Sequence, residues 1–253
     1  MWYKNLLNSE IDGLEPLLSL FVSEEKFIEH FFENVLFFKV EDVEKQSKIL
    51  LESIKDGRQI PVRYTMKTDE YFHYNNDRIV KDKSKKSFKN KKDAKIFALS
   101  QDYYHNETGV KICFDKDGNY YVRNEIYKYS GHRVSQGLTS NVKNYVISHI
   151  WAKTENPYFF SSFWNIALIP NYLSFILDKS DENSEVARKI KIISKAICHH
   201  LYNPNKLIGM EIIDEKELEN GVELAKIFIK NNTINYFEKK SDNKETFLIK
   251  NIL

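Results

Sequence analysis

Cysteine, glycine and proline are all scarce: 253 residues hold two, eight and five of them. Cys113 and Cys198 stand far apart with no CxxC, which excludes a disulfide framework and a zinc ribbon on ligand count and suits a reducing cytosol. So little glycine and proline argues against long flexible linkers. No run of 18 apolar residues occurs, so no membrane span is expected. The opening MWYKNLLNSEIDGLEPLL lacks a basic stretch followed by an apolar one, so no secretory signal is expected and the chain reads as cytoplasmic. No glycine-rich phosphate loop, dinucleotide fingerprint or serine-nucleophile elbow is present, which leaves kinases, dehydrogenases and serine hydrolases of those types without support. A strong net charge is missing too. At +2 the chain carries no overall nucleic-acid signature.

What is present is ordinary for a globular protein, with one exception. Hydrophobic residues make up 42% and charged residues 29%, enough for a sizeable core in one large or two modest domains. Aromatics reach 14%, with 17 Phe and 15 Tyr. The exception is charge distribution. Residues 78–95 hold nine Lys and Arg against two Asp. A local excess of that size suits phosphate contacts, because each contact releases condensed counterions; a solvated basic loop has the same composition. Lys85, Lys86, Lys89, Lys91 and Lys92 are its nucleic-acid candidates.

Periodicity divides the chain into three regions. Residues 1–95 read as a helical region ending in the basic segment. Phe27, Ile28, Phe31, Phe32, Val35 and Leu36 form an i, i+3, i+4 stripe behind a candidate N-cap, Ser23. The next helical pattern stops at Gly57, a good residue just past a helix end. RQIPVRYTM looks extended, 67–95 loop-rich, and Asp93–Gln101 a short helix. In 96–182, VKICF and YYVRNEIYKY flank Asp-Gly-Asn and read as a β-hairpin. In 183–253, Val186, Ile190, Ile193, Ile197 and Leu201 mark an amphipathic helix. A further helix is expected across Gly221, then a strand at TINYF.

Residues 147–179, ISHIWAKTENPYFFSSFWNIALIPNYLSFILDK, carry the chemistry. A strand rich in β-branched residues ends at His149. A second short strand covers Trp164–Ile169. Pro170 suits the first position of a helix, where its missing N–H costs nothing. In that helix Asn171, Ser174 and Asp178 share one face, with Leu173, Ile176 and Leu177 on another.

This order of Ser148-His149, Asn165 and a polar helix face resembles the HNH-type (ββα-metal) endonucleases, including bacterial restriction-type members. The resemblance covers about 33 residues. It implies an α+β fold: a central ββα-metal core with the β-hairpin before it, flanked by N-terminal and C-terminal helical regions. It implies His149 as the general base and Asn165 as the orienting residue. It implies Mg²⁺ or Mn²⁺ as cofactor, with Ser148, Asn171, Ser174 and Asp178 as candidate ligands. Three departures stand out. Ser148 replaces the usual acidic residue, Ser174 the usual His or Asn, and Pro170 and Leu173 occupy places where the family often carries zinc cysteines, so no structural zinc is expected. Arg133, Lys143 and Lys153 are candidates for gripping phosphates near the scissile bond. Double-stranded DNA is the expected partner, and cutting both strands with one site per chain favours a two-fold homodimer. Two other readings remain: a non-catalytic nucleic-acid-binding protein with a degenerate HNH-like fold, and a nuclease of another class using Glu238-Lys239-Lys240 with Asp214.

Overall fold

The computed structural model describes residues 15–63, 71–75, 78–82, 103–105, 107–115, 119–134, 142–178 and 184–239. Its elements in chain order are α1 (Glu15–Leu18), α2 (Glu24–Asn34), β1 (Leu36–Phe38), α3 (Val40–Lys55), β2 (Ile60–Arg63), β3 (Tyr71–Asn75), β4 (Arg78–Asp82), β5 (Tyr103–Tyr104), β6 (Lys111–Asp115), α4 (Tyr120–Ser130), β7 (Tyr145–His149), β8 (Ile166–Pro170), α5 (Phe175–Asp178), α6 (Glu185–Tyr202), α7 (Pro204–Ile208), α8 (Val222–Lys230) and β9 (Asn235–Phe237). The fold class is α+β.

The main sheet runs β7-β8-β1-β9. Its centre is β8, and Ile166, Ala167, Leu168 and Ile169 are completely buried. A continuous apolar run is what a strand covered on both faces requires. β7 pairs antiparallel with β8, Tyr145 opposite Pro170 and His149 opposite Ile166. β1 joins β8 antiparallel through Leu36 and Leu168, and β9 joins β1 in parallel. One sheet therefore draws strands from the N-terminal, central and C-terminal regions of the sequence. Beside it a three-stranded sheet runs β2-β6-β5.

The helices follow their sequence signals. In α2 the Ser23 hydroxyl accepts from the Lys26 amide, and Phe27, Ile28, Phe31 and Phe32 are buried. α3 gives way to Gly57 in the left-handed region at φ 68°, a conformation glycine adopts without strain. In α6 Ser184 caps the start, and Val186, Ile190, Ile193 and Ile197 face the core. No helix among the described residues is long and apolar enough to cross a membrane.

Four local readings need correction. The expected hairpin before the motif is absent, because its second arm is the helix α4. Aromatic content suggests a strand there, but Val122, Ile126 and Ser130 are the residues it buries. Asn124 and Lys128, which a strand would place on that same face, are not buried, so the period is helical and outweighs the composition. β6 instead pairs with β2 in parallel and with β5 antiparallel. Second, the segment after β8 does not start a helix at Pro170. Pro170 closes β8 opposite Tyr145, residues 171–174 form turns, and only Phe175–Asp178 is helical. Third, the helix expected across Gly221 begins as a 3-10 turn, Glu215–Gly221, before α8. A Cβ on Gly221 would lie 2.7 Å from the Ile192 side chain and 2.8 Å from its carbonyl oxygen, so glycine is required for that close approach. Fourth, the second strand begins at Ile166 and not at Trp164, because Phe163–Asn165 forms a 3-10 turn; within the loop-rich 67–95 stretch, β3 and β4 pair antiparallel. Lys85, Lys86, Lys89, Lys91 and Lys92, and the short helix expected over Asp93–Gln101, lie outside the described residues.

Candidate active site

His149 ends β7 at the mouth of the 150–165 loop that joins β7 to β8. Its Nε2 lies 2.9 Å from the Phe160 carbonyl oxygen, and its ring stacks on the Phe160 ring at 5.5 Å with planes 6° apart. A carbonyl only accepts, so Nε2 carries the hydrogen and Nδ1 carries the lone pair. Burial pushes the imidazole pKa down to about 4, and the charge of Arg63 pushes the same way; the Phe160 carbonyl and Asp115 act in the opposite direction. At neutral pH His149 is therefore a neutral imidazole with its basic nitrogen defined by the fold.

Asn165 is fully buried and closes the loop at both ends. Its Oδ1 accepts from the Trp151 amide at 2.8 Å. Its Nδ2 donates to the Phe159 carbonyl at 3.0 Å. Its backbone carbonyl accepts from Ile150 at 2.8 Å. The aromatic residues of this loop pack inward. Trp151 and Trp164 meet edge to face at 5.5 Å, and Phe159 and Trp164 at 4.8 Å. Trp151, Tyr158, Phe159, Phe160, Phe163 and Trp164 are all buried, so they build the scaffold and present no ring for stacking on bases. From outside the loop, Gln46 of α3 donates to the Ser161 carbonyl at 3.1 Å and accepts from the Phe163 amide at 3.3 Å.

The candidate metal ligands have mixed surroundings. Ser148 faces Ala167 across the β7–β8 pair, and strand alternation turns it to the opposite face from His149. The Asn171 amide donates to the Asn144 carbonyl at 2.8 Å, while its side-chain Oδ1 is buried without a hydrogen-bond partner. The Ser174 hydroxyl donates to the Asn171 carbonyl at 2.9 Å. Asp178 is the last residue of α5. The expected shared helical face is thus replaced by a turn carrying Asn171 and Ser174 and a single helical turn reaching Asp178. Among the described residues no three His, Cys, Asp or Glu side chains converge on one point. The motif instead offers oxygen donors, the kind a hard divalent cation takes, and the unsatisfied Asn171 Oδ1 is one of them.

The basic candidates scatter. Lys153 lies in the loop itself with its ammonium 5.1 Å from the centre of the Phe159 ring. Arg133 follows α4, its guanidinium 5.2 Å from the Tyr127 ring centre. Lys143 is exposed two residues before β7. In the rival constellation Glu238 pairs with Lys39 at 3.2 Å, Lys239 pairs with Asp42, and Asp214 caps the 3-10 turn by accepting from the Lys216 amide. Lys240 lies outside the described residues.

Two residues beside His149 escape the motif reading. β2 and β6 align Arg63 with Asp115. The Arg63 amide donates to the Thr154 carbonyl of the loop at 2.8 Å, and its guanidinium donates to Asn119 Oδ1 at 2.8 Å. Asp115, only 2% exposed, accepts from the Tyr121 amide at 2.8 Å at the start of α4. Both act on the imidazole electrostatically. In sequence each is merely a charge ending a short apolar strand.

The segment holding all of these residues, Arg63, Asp115, His149 and Asn165, lies within a single family match. The family model described as "Uncharacterised protein PM1201" covers residues 38–252. The chain belongs to this family. A relative from Pasteurella multocida (strain Pm70), itself described as uncharacterized protein PM1201, is 27% identical over 198 residues, spanning 77% of this chain and 76% of the relative. No solved structure matches the chain.

Proposed function

We propose that this protein is a metal-dependent endonuclease that hydrolyses phosphodiester bonds in double-stranded DNA, with His149 activating the attacking water. The observation that carries this reading is the Nε2–H to Phe160 carbonyl bond, which leaves Nδ1 as the proton acceptor of a neutral ring. A general base must hold a free lone pair at the working pH and in a fixed direction. The hydrogen bond supplies the direction, and burial beside Arg63 keeps the ring unprotonated. The β7–β8 hairpin, its Asn165-closed loop and the short helix after it support a ββα-metal core.

Each residue has a part. His149 takes the water proton on Nδ1. Asn165 holds the loop so that the Phe160 carbonyl stays within hydrogen-bond reach of Nε2. Asn171, whose Oδ1 has no hydrogen-bond partner, and Asp178 would hold a Mg²⁺ or Mn²⁺ ion, whereas Ser148 is turned to the other face of β7 from His149 and the Ser174 hydroxyl is engaged by the Asn171 carbonyl, so neither serine fits as a ligand. Such an ion, when bound, offsets charge on the phosphoryl and leaving oxygens. Arg63 and Lys153 add positive charge near the imidazole and in the loop. The 78–95 segment, with Arg133 and Lys143, would grip the DNA backbone. A type II restriction enzyme acting in the cytoplasm as a homodimer fits this set of parts.

A second reading has its own observation. The Ser174 hydroxyl is already engaged by the Asn171 carbonyl, and no acidic cluster appears among the described residues. That favours a nucleic-acid-binding protein which keeps the fold without the ion. Incubating sequence-diverse duplex DNA with the protein and Mg²⁺ or Mn²⁺, beside EDTA and His149→Ala controls, separates the two. Discrete fragments that vanish in both controls are expected for the endonuclease. Binding without cleavage under every metal supports the second reading, and cleavage that survives His149→Ala removes the base from His149.

A further inference from the structure

One face of α3, away from the loop it grips through Gln46, borders a cleft of about 610 Å³. That size lies within the usual range for small-molecule sites. The opposite wall is the junction of α6 and α7, where Asn203 turns the chain at φ 45°. Three exposed lysines rim the cleft: Lys48 and Lys55 from α3 and Lys206 from α7. Among the described residues none of the three forms an ion pair, although Glu44 and Glu52 share the same rim. Ammonium groups left this way attract an anion to the cleft mouth.

A second observation is independent of charge. Ser47 lines the cleft, is only 1% exposed, and its hydroxyl has no hydrogen-bond partner. Buried hydroxyls are normally satisfied, and a ligand oxygen reaching the cleft would satisfy this one. Between these polar groups the lining is apolar, with Leu51 from α3, Leu201 from α6 and Leu207 from α7. The wall therefore suits a body with an apolar face, and Glu44 and Glu52 suit donors such as ribose hydroxyls or an exocyclic amine.

We infer that this cleft binds a nucleoside phosphate, its phosphates between Lys48, Lys55 and Lys206 and its base against Leu51, Leu201 and Leu207. A purely lipidic phosphate would leave the carboxylates without donors, and inorganic phosphate would leave the apolar wall exposed. The occupant would sit one residue along α3 from Gln46, the side chain that ties this helix to the His149 loop. The inference does not depend on the nuclease reading.

Isothermal titration of the full chain with ATP, in EDTA so that no cleavage can occur, tests it. One saturable site is expected, with adenosine and with tripolyphosphate each binding at least about tenfold more weakly. Lys48→Glu and Lys206→Glu, both on exposed side chains, should each weaken ATP by about tenfold or more, the usual worth of a charge-assisted hydrogen bond, with unchanged circular dichroism. Ser47→Ala should weaken ATP with no change of charge. A 5′-phosphorylated hexanucleotide that displaces ATP assigns the cleft to nucleic-acid ends; one that does not assigns it to free nucleotides. Absence of saturable ATP binding overturns the inference. So does tripolyphosphate binding as tightly as ATP, or ATP affinity unchanged in both lysine variants.

Discussion

The side chain of Asn165 accepts a hydrogen bond from the Trp151 amide at 2.8 Å across the base of the loop that carries Phe160. Together with its bond to the Phe159 carbonyl, this makes a fully buried amide the fastener for the carbonyl that orients His149. Removing it leaves the Trp151 N–H without a partner and the Phe159 carbonyl with only the 3.4 Å bond from the Ser162 amide. Asn165→Ala should cost about 1–3 kcal/mol of stability, the usual cost of one orphaned buried group. Urea unfolding of the variant against the wild type measures it. A loss below about 0.5 kcal/mol would show that the loop is held by its aromatic packing alone.

His149→Ala should lower cleavage by about 10²- to 10⁴-fold, the usual contribution of a positioned general base, while DNA affinity in EDTA changes little. Single-turnover cleavage and fluorescence anisotropy on the same duplex separate the two effects. Equal loss of both would mean that His149 supports structure and not proton transfer.

Stability should depend on pH through the same residue. His149 has a folded pKa of about 4, against about 6.5 in the unfolded chain. Between these values the unfolded state binds more protons, so stability rises with pH. The contribution is fully present above about pH 6.5 and is lost as pH falls toward 4, with a size on the order of 3 kcal/mol. Urea midpoints from pH 4 to 7.5 should therefore fall less steeply on acidification in His149→Gln than in the wild type. Parallel curves would contradict a partly buried imidazole held neutral.

Arg63 and Asp115 should move that titration in opposite directions. Arg63 holds the His149 pKa down and Asp115 pulls it up. Arg63→Gln should therefore raise the imidazole pKa and Asp115→Asn should lower it. Proton NMR of the His149 ring over a pH series reads this directly and requires no cleavage activity. Unmoved values in both variants would place these two charges away from the imidazole.

Much of the local structure was legible from residue order. The stripe from Phe27 to Phe32, the Ser23 and Ser184 caps and the stop at Gly57 are signals contained within a few residues, and the helices follow them. The strand rich in β-branched residues that ends at His149, and the second strand up to Ile169, were legible for the same reason. Where composition and period disagreed, at Tyr120–Ser130, the period prevailed because a strand burying Val122 and Ile126 would also bury Asn124 and Lys128, whereas a helix keeps those two off the core. The helix after Pro170 is shorter than its sequence signals because that proline serves as a strand end opposite Tyr145, and a strand end and a helix start look alike in one sequence.

The sequence by itself determined the α+β class, the amphipathic helices and the ordering of His149 ahead of Asn165, since periodicity, caps and turn residues act over short stretches of chain. Only the tertiary structure decided what surrounds the imidazole. Arg63 and Asp115 arrive from a second sheet and the Phe160 carbonyl from the far side of the loop, and the loop is itself tied down by Gln46 from a distant helix. Burial and Coulomb interactions depend on distance in space, and chain order does not encode that distance. The imidazole's tautomer and its low pKa follow from it.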